Sequence, residues 1–243
     1  MERAIYQRGL ELSQRRKEQR LRSLKSSTPT AAESKIIHDI YHELKSVQVL
    51  GAANRPANIL FARETRISSM RMCFPQERNV HGKLFGGHLM REAYELAYTL
   101  ACMYVKKKIF FLLFLKRNYR YSKTTPKFMC QDEVQFHKPV EIGSILSYDA
   151  QIVLAMGHPH KSFHVAVTAD VISPGKGGAR ETTTVFSFTF AVNNPNAPPL
   201  RRVLPETYDE SIQLIEALRR KDEGKAFATS LREDPVPWVL QAV

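Results

Sequence analysis

The stretch NVHGKLFGGHLMREAYELA, residues 79–97, decides how the rest of the chain is read. A polar Asn79 comes first, then three glycines (Gly82, Gly86, Gly87), then an uninterrupted helical pattern. Leu89, Met90, Ala93, Leu96, Ala97, Leu100 and Ala101 recur at helical spacing and point one face inward. Many of these are small, so a sheet can close tightly on that face. A Gly-Gly pair directly before an apolar helix has two readings. It gives close packing room, or it leaves a helix N-terminus bare, whose N–H groups hold an anionic oxygen.

The flanks are strand-like. RISSMRMCF (66–74) alternates with period two until Pro75. Beyond the helix come four further runs: DEVQFHKPVEI (132–142), SILSYDAQIVLAM (144–156), SFHVAVTADVIS (162–173) and RETTTVFSFTFAV (180–192). Gly143, Gly157 with Pro159, and PGKGG (174–178) separate them. In the last run Thr182, Thr184, Phe186, Phe188 and Phe190 fall on one face by alternation. The order strand, helix, strands predicts an α+β fold in which an antiparallel sheet wraps one central helix.

Outside this unit, residues 2–25 read as a solvated helix. ESKIIHDIYHELKSV (33–47) predicts a second helix, capped from Ser27 or Thr30, with Ile36, Ile37, Ile40, Tyr41 and Leu44 on one face. PETYDESIQLIEALRRK (205–221) predicts a final helix with acids early and bases late. The divisions that follow are an extension at 1–65, a domain at 66–223 with an atypical insertion near 103–127, and a loose tail at 224–243.

The 243 residues are 43% hydrophobic, as in a globular protein. Cys73, Cys102 and Cys130 have neither metal spacing nor an even disulfide count, which suits a reducing compartment. No apolar run is long enough to span a membrane, so no transmembrane segment is expected. Of the net +12, eight positive charges fall between Met103 and Cys130, a segment without a single acid. A nucleic-acid or membrane-surface role therefore rests on that segment alone, and no recognition motif accompanies it. No nucleic-acid partner is expected.

Asn79, Gly82, Phe85, Gly86, Gly87, Leu89 and Met90 together resemble the glycine motif of hotdog-fold acyl-CoA thioesterases. Phe136, Pro139, Val140 and Gly143 resemble the strand and turn that follow in that family. CFPQERN, FGGHLMREAYELA, FHKPVEIGS and LPETYDES are similar to the C-terminal domain of the mitochondrial double-hotdog branch. ESKIIHDIY resembles the linker ahead of that domain, so the family's N-terminal hotdog domain has no counterpart in this chain. The likeness covers about 30–102 and 128–223, leaving 103–127 as an insertion.

The resemblance implies hydrolysis of fatty acyl-CoA to fatty acid and coenzyme A, with no cofactor, no metal and a mitochondrial location. Glu2, Glu11 and Glu18 are unlike an import presequence. It also implies a partner, either another copy or a second hotdog domain. In the site it implies, Gly86 and Gly87 hold the oxyanion, and Asn79 orients the water or the carbonyl.

A carboxylate base is the remaining need. The helix position seven residues after the second glycine, an Asp in related thioesterases, is Tyr94. Glu92 and Glu95 lie on other faces of the helix. The double-hotdog branch implies an acid from the other domain. Within the chain the substitute is Asp132, placed by alternation on the same strand face as Phe136. Tyr94 leaves open a second reading, a non-catalytic hotdog subunit that binds acyl-CoA or pairs with another chain. His81, His88, His158 and His160 are conceivable bases, and Lys138, Lys161, Arg201 and Arg202 conceivable phosphate contacts.

Overall fold

In a computed structural model, the described residues are 27–51, 54–105, 125–132, 134–172, 178–194 and 197–233, with scattered positions before 27. The insertion expected at 103–127 lies mostly outside them.

The main sheet is antiparallel. Its strands are β2 (Ile67–Met72), β3 (Lys127–Gln131), β4 (Gln135–Phe136), β5 (Ile145–Leu154), β6 (Ser162–Ile172) and β7 (Arg180–Ala191). The order is β2-β5-β6-β7-β3, with β4 also paired to β7. Helix α2 (Gly86–Val105) lies on the inner face, as the periodicity required. Ala93, Ala97 and Ala101 have no exposed surface and recur every four residues, so the strands approach the helix backbone closely. Phe163, Val165 and Val167 of β6 and Phe186, Phe188 and Phe190 of β7 fill the space opposite.

The stripe on β7 is one residue shorter than alternation predicts. Ala169 pairs with Thr184 but Asp170 pairs with Thr182, so Thr183 is an extra residue. Such a bulge turns the preceding side chains to the other face. Thr182 accordingly donates to Asp170 at 2.8 Å, while buried Thr183 donates to the Lys138 carbonyl at 2.7 Å.

The segment 132–142 is also not one long strand. Only Gln135–Phe136 pairs with β7, while Lys127–Gln131, which begins at the last residue of the expected insertion, forms the strand at the sheet edge.

The outer face is covered by two further helices, α1 (Ala31–Val49) and α3 (Tyr208–Glu233). Thr30 caps α1 through a reciprocal box with Glu33. Ile40, Leu44 and Val47 are buried, but Ile36 and Tyr41 are exposed, so the buried stripe lies one step round from the sequence expectation. Ile40 packs with Val153 and Leu154 of β5 and Leu214, Ile215 and Ala217 of α3. Arg219 clamps the Glu33 carboxylate with two hydrogen bonds of 2.5 and 2.7 Å. Those bonds hold the Glu33 pKa down at about 2. Helix α3 continues ten residues past the boundary expected at 223.

A feature absent from the sequence reading is a two-stranded parallel pair, β1 (Ile59–Phe61) with β8 (Arg202–Leu204). The Tyr104 hydroxyl, at the end of α2, donates to the Arg201 carbonyl beside β8. Short pairings between segments distant in sequence carry no periodicity to read.

Candidate active site

The loop ahead of α2 is built around Asn79. Its Oδ1 accepts the backbone N–H of His81 at 2.9 Å and of Lys83 at 3.1 Å. Its own N–H donates to the Lys83 carbonyl at 2.6 Å, and Gly82 turns at φ +71°. The Asn79 acceptor is thus occupied within its own loop. The amide Nδ2 has no hydrogen bond among the described residues and remains available to donate.

The loop is pinned at both sides. Leu84 N–H donates to the Val140 carbonyl at 2.9 Å and Phe85 N–H to the Glu77 carbonyl at 3.0 Å. The Phe85 carbonyl then accepts His88 N–H at 2.9 Å and Leu89 N–H at 3.3 Å, starting α2. Phe85 has no polar side chain to fold back on the first turn. Among the described residues nothing accepts from the N–H groups of Gly86 and Gly87. The bare helix end expected from the sequence is present.

Packing leaves little room for a side chain at these glycines unless a neighbouring ring moves. A Cβ on Gly86 would stand 3.0 Å from the Phe136 ring, and one on Gly87 would stand 2.4 Å from the Phe85 ring. Phe85 is 59% exposed and Phe136 51% exposed, so two aromatic rings flank the free donors. An apolar rim around unpaired N–H groups is a setting in which a developing oxyanion is stabilised more strongly than in water.

Tyr94 lies on α2 at the position where the family resemblance implies an acid. Its ring meets Phe128 edge-on at 5.3 Å, meets Phe188 at 5.9 Å and stacks on Tyr98 at 6.1 Å. This aromatic cluster joins α2 to the edge strand β3. Phe128 was missed by the sequence reading because its strand, next to the segment taken for an insertion, was not among the predicted strand runs.

Among the described residues the acids nearest Tyr94 in sequence do not replace it. Glu92 points to the opposite edge, with Arg71 of β2 at 2.6 Å and His88 at 4.0 Å. His88 also lies 3.4 Å from Glu77. Glu95 is on the surface with Arg91 at 2.9 Å. In the same region Cys73 is buried, and burial pushes its thiol up to about 11, so it is no nucleophile at neutral pH.

The expectation for Asp132 is corrected here. It does not share a face with Phe136. Phe136 pairs with Thr184 on the inner face, whereas Asp132 N–H donates to the carbonyl of Ser187. The side chain of Asp132 turns outward to α3, where Arg220 Nε lies 3.2 Å from Oδ2, out of line for a hydrogen bond. Burial raises the Asp132 pKa and Arg220 only partly offsets it. The alternation fails because the chain leaves the ladder between Gln131 and Gln135.

The conceivable phosphate contacts are dispersed. Lys138 pairs with Glu181, Arg202 pairs with Glu43 at 2.7 Å, and Arg201 lies over the Tyr104 ring at 5.9 Å. His158 and His160 sit in the β5–β6 connection, and His81 is exposed in the Asn79 loop. Among the described residues no three His, Cys, Asp or Glu side chains come together as a metal site. No helix of the described residues is long and apolar enough to cross a membrane.

No protein-family model matches the chain. Individual proteins do. It is 32% identical over 212 residues to bovine acyl-coenzyme A thioesterase 9, mitochondrial, covering 86% of this chain and 43% of that protein. It is 31% identical over 218 residues to mouse acyl-coenzyme A thioesterase 10, mitochondrial, covering 88% and 44%. The chain is a homologue of the mitochondrial acyl-coenzyme A thioesterases. It spans less than half the length of these relatives. Among solved structures it resembles a Staphylococcus aureus acyl-CoA hydrolase in complex with butyryl coenzyme A, coenzyme A and coenzyme A disulfide. That likeness has a TM-score of 0.58 at 22% identity, over 72% of this chain and 95% of the other. The hotdog fold expected from the sequence is thereby established.

Proposed function

We propose that this chain is one hotdog unit of an acyl-CoA thioesterase that hydrolyses fatty acyl-CoA to free fatty acid and coenzyme A. The observation that carries the reading is the pair of unbonded N–H groups at Gly86 and Gly87, with the Asn79 amide in the loop that leads to them. The thioester oxygen is held by these glycine donors. Asn79 Nδ2 donates to the carbonyl or steadies the attacking water. Water attacks the carbonyl carbon and a carboxylate takes its proton. Negative charge then rests on the oxygen held by the N–H groups. Collapse of that intermediate expels the coenzyme A thiolate, which recovers a proton.

Tyr94 cannot serve as that carboxylate, because its side chain is a phenol that makes ring contacts with Phe128, Phe188 and Tyr98. The reading therefore places the acid on a second hotdog unit facing the β3 edge, where the Tyr94 cluster lies. That unit is another domain or another copy. Asp132, turned to α3, takes no part. No cofactor is invoked beyond the coenzyme A carried by the substrate, and the mitochondrial relatives support a mitochondrial location.

The second reading, a hotdog subunit that binds acyl-CoA or a partner without turnover, is favoured by Tyr94 alone. Steady-state hydrolysis by the purified chain, alone and with a second hotdog unit carrying an acid, separates the two. Turnover in the mixed assembly that disappears in Asn79→Ala supports the first. Acyl-CoA binding without turnover in either preparation supports the second.

A further inference from the structure

Helix α1 carries two histidines, His38 and His42, one turn apart on its solvent face. Positions four apart stack along a helix, so their side chains meet. The Nε2 atoms stand 2.9 Å apart. The ring centroids are 4.4 Å apart and the planes cross at 85°. One ring donates its Nε2–H to the bare Nε2 of the other, so the two are opposite tautomers.

This spacing is also that of two ligands on one metal. Bonds of about 2.0–2.1 Å from a metal to two imidazole nitrogens, meeting at about 90°, span about 2.9 Å. The helix is already fixed beneath the pair. Ile40, Leu44 and Val47 are buried, the N-terminus is capped by Thr30, and Glu33 is clamped to Arg219. The backbone needs no further ordering to bring the nitrogens together.

We propose that His38 and His42 form a bidentate surface site for a borderline divalent transition metal (Cu²⁺, Ni²⁺ or Zn²⁺), with water completing the shell. Each Nε2 gives a lone pair to the metal. The ring that held its proton on Nε2 carries it on Nδ1 instead, so two neutral rings bind without net proton release. The neighbours decide the metal class. One turn to either side on the same stripe are Ser34, Lys35, Lys45 and Ser46, and Asp39, three residues before His42, is the one carboxylate at neighbour spacing on this helix. Calcium and magnesium require a shell of oxygen ligands, which two imidazole nitrogens beside a single carboxylate do not supply. The Lys45 ammonium is drawn over the Tyr41 ring at 5.5 Å, which limits its repulsion of a bound cation. The site lies in the helical layer outside the sheet, across from α2, so it is independent of the thioesterase reading.

The test is calorimetric titration of the whole 243-residue chain with Cu²⁺ and Ni²⁺, with Ca²⁺ and Mg²⁺ as controls. One equivalent binds, copper more tightly than nickel. His38→Ala and His42→Ala each weaken binding at least the ~10-fold that loss of an outer-shell partner alone costs. The double variant binds no more tightly than either single one, and His158→Ala and His160→Ala bind as the parent does. Alanine favours helix over histidine, so these variants keep α1, which circular dichroism verifies. Parent-like affinity in either single variant, or displacement of Ni²⁺ by Ca²⁺, overturns the proposal.

Discussion

Replacing Tyr94 by aspartate tests the division of labour between this chain and its partner. The tyrosine ring makes edge contacts with Phe128 and Phe188 and stacks on Tyr98. Each such pair contributes about 0.5–1.5 kcal/mol beyond area burial. Tyr94 is half-buried, so Tyr94→Asp costs about 2–4 kcal/mol, short of the loss seen for a fully buried aromatic. In a chain of this size that lowers Tm by about 5–15 °C. The same apolar surroundings raise the pKa of the introduced carboxylate towards neutrality, which suits a general base. When two copies pair through β3, each presents Asn79, bare glycine donors and a carboxylate. Hydrolysis of acyl-CoA, followed by release of the free thiol, is expected to rise by about 10²–10⁴ over the parent. The Tyr94→Asp/Asn79→Ala variant removes the gain. A folded Tyr94→Asp protein that turns over no faster than the parent refutes the argument, as does a parent chain already at full rate.

Gly86→Ala places a methyl against the Phe136 ring, which is half-exposed and swings aside; the melting temperature stays within a few degrees, while turnover of the active assembly falls by about 10²–10³ through disturbance of the oxyanion donors. Asp132→Asn leaves turnover unchanged. Its pKa is raised on folding, so ionisation of Asp132 costs stability as pH rises through the carboxylate range, and in urea the Asn variant gains on the parent between acid and neutral pH. Glu33→Gln breaks the clamp to Arg219 and part of the α1 cap. Because the folded pKa is held down at about 2, the clamp stabilises above the unfolded value of 4.5 and is lost as pH falls towards 2. After discounting for solvent around the pair the cost at pH 7 is about 1–2 kcal/mol, read as a drop of some degrees in Tm that closes in acid.

How much of this was legible beforehand depends on the range of the interaction. The GG-helix motif, the four strand runs and the final helix are local patterns. Periods of 3.6 and 2 residues follow from backbone geometry, so the sequence alone identified α2, β5, β6 and β7. It offered a bare helix end at Gly86 and Gly87 as one of two readings, and the structure shows no acceptor for their N–H groups among the described residues. Alternation failed wherever the chain left its ladder. The bulge at Thr183 turned Thr182 outward, and the break between Gln131 and Gln135 sent Asp132 to Arg220 instead of to Phe136.

The sequence determined the fold and the place where the glycine-led helix begins. Tertiary structure decided which polar groups remain available to act. The Asn79 oxygen is occupied by the N–H groups of His81 and Lys83. Tyr94 is enclosed by rings from β3, β7 and its own helix. His38 and His42 meet on a helix held in place by α3. The Asn79 oxygen is occupied from within its own loop, but Tyr94 and the helix beneath His38 and His42 are held by neighbours far apart in the chain. Their approach depends on how two layers pack on the two faces of one sheet, and no local period encodes that.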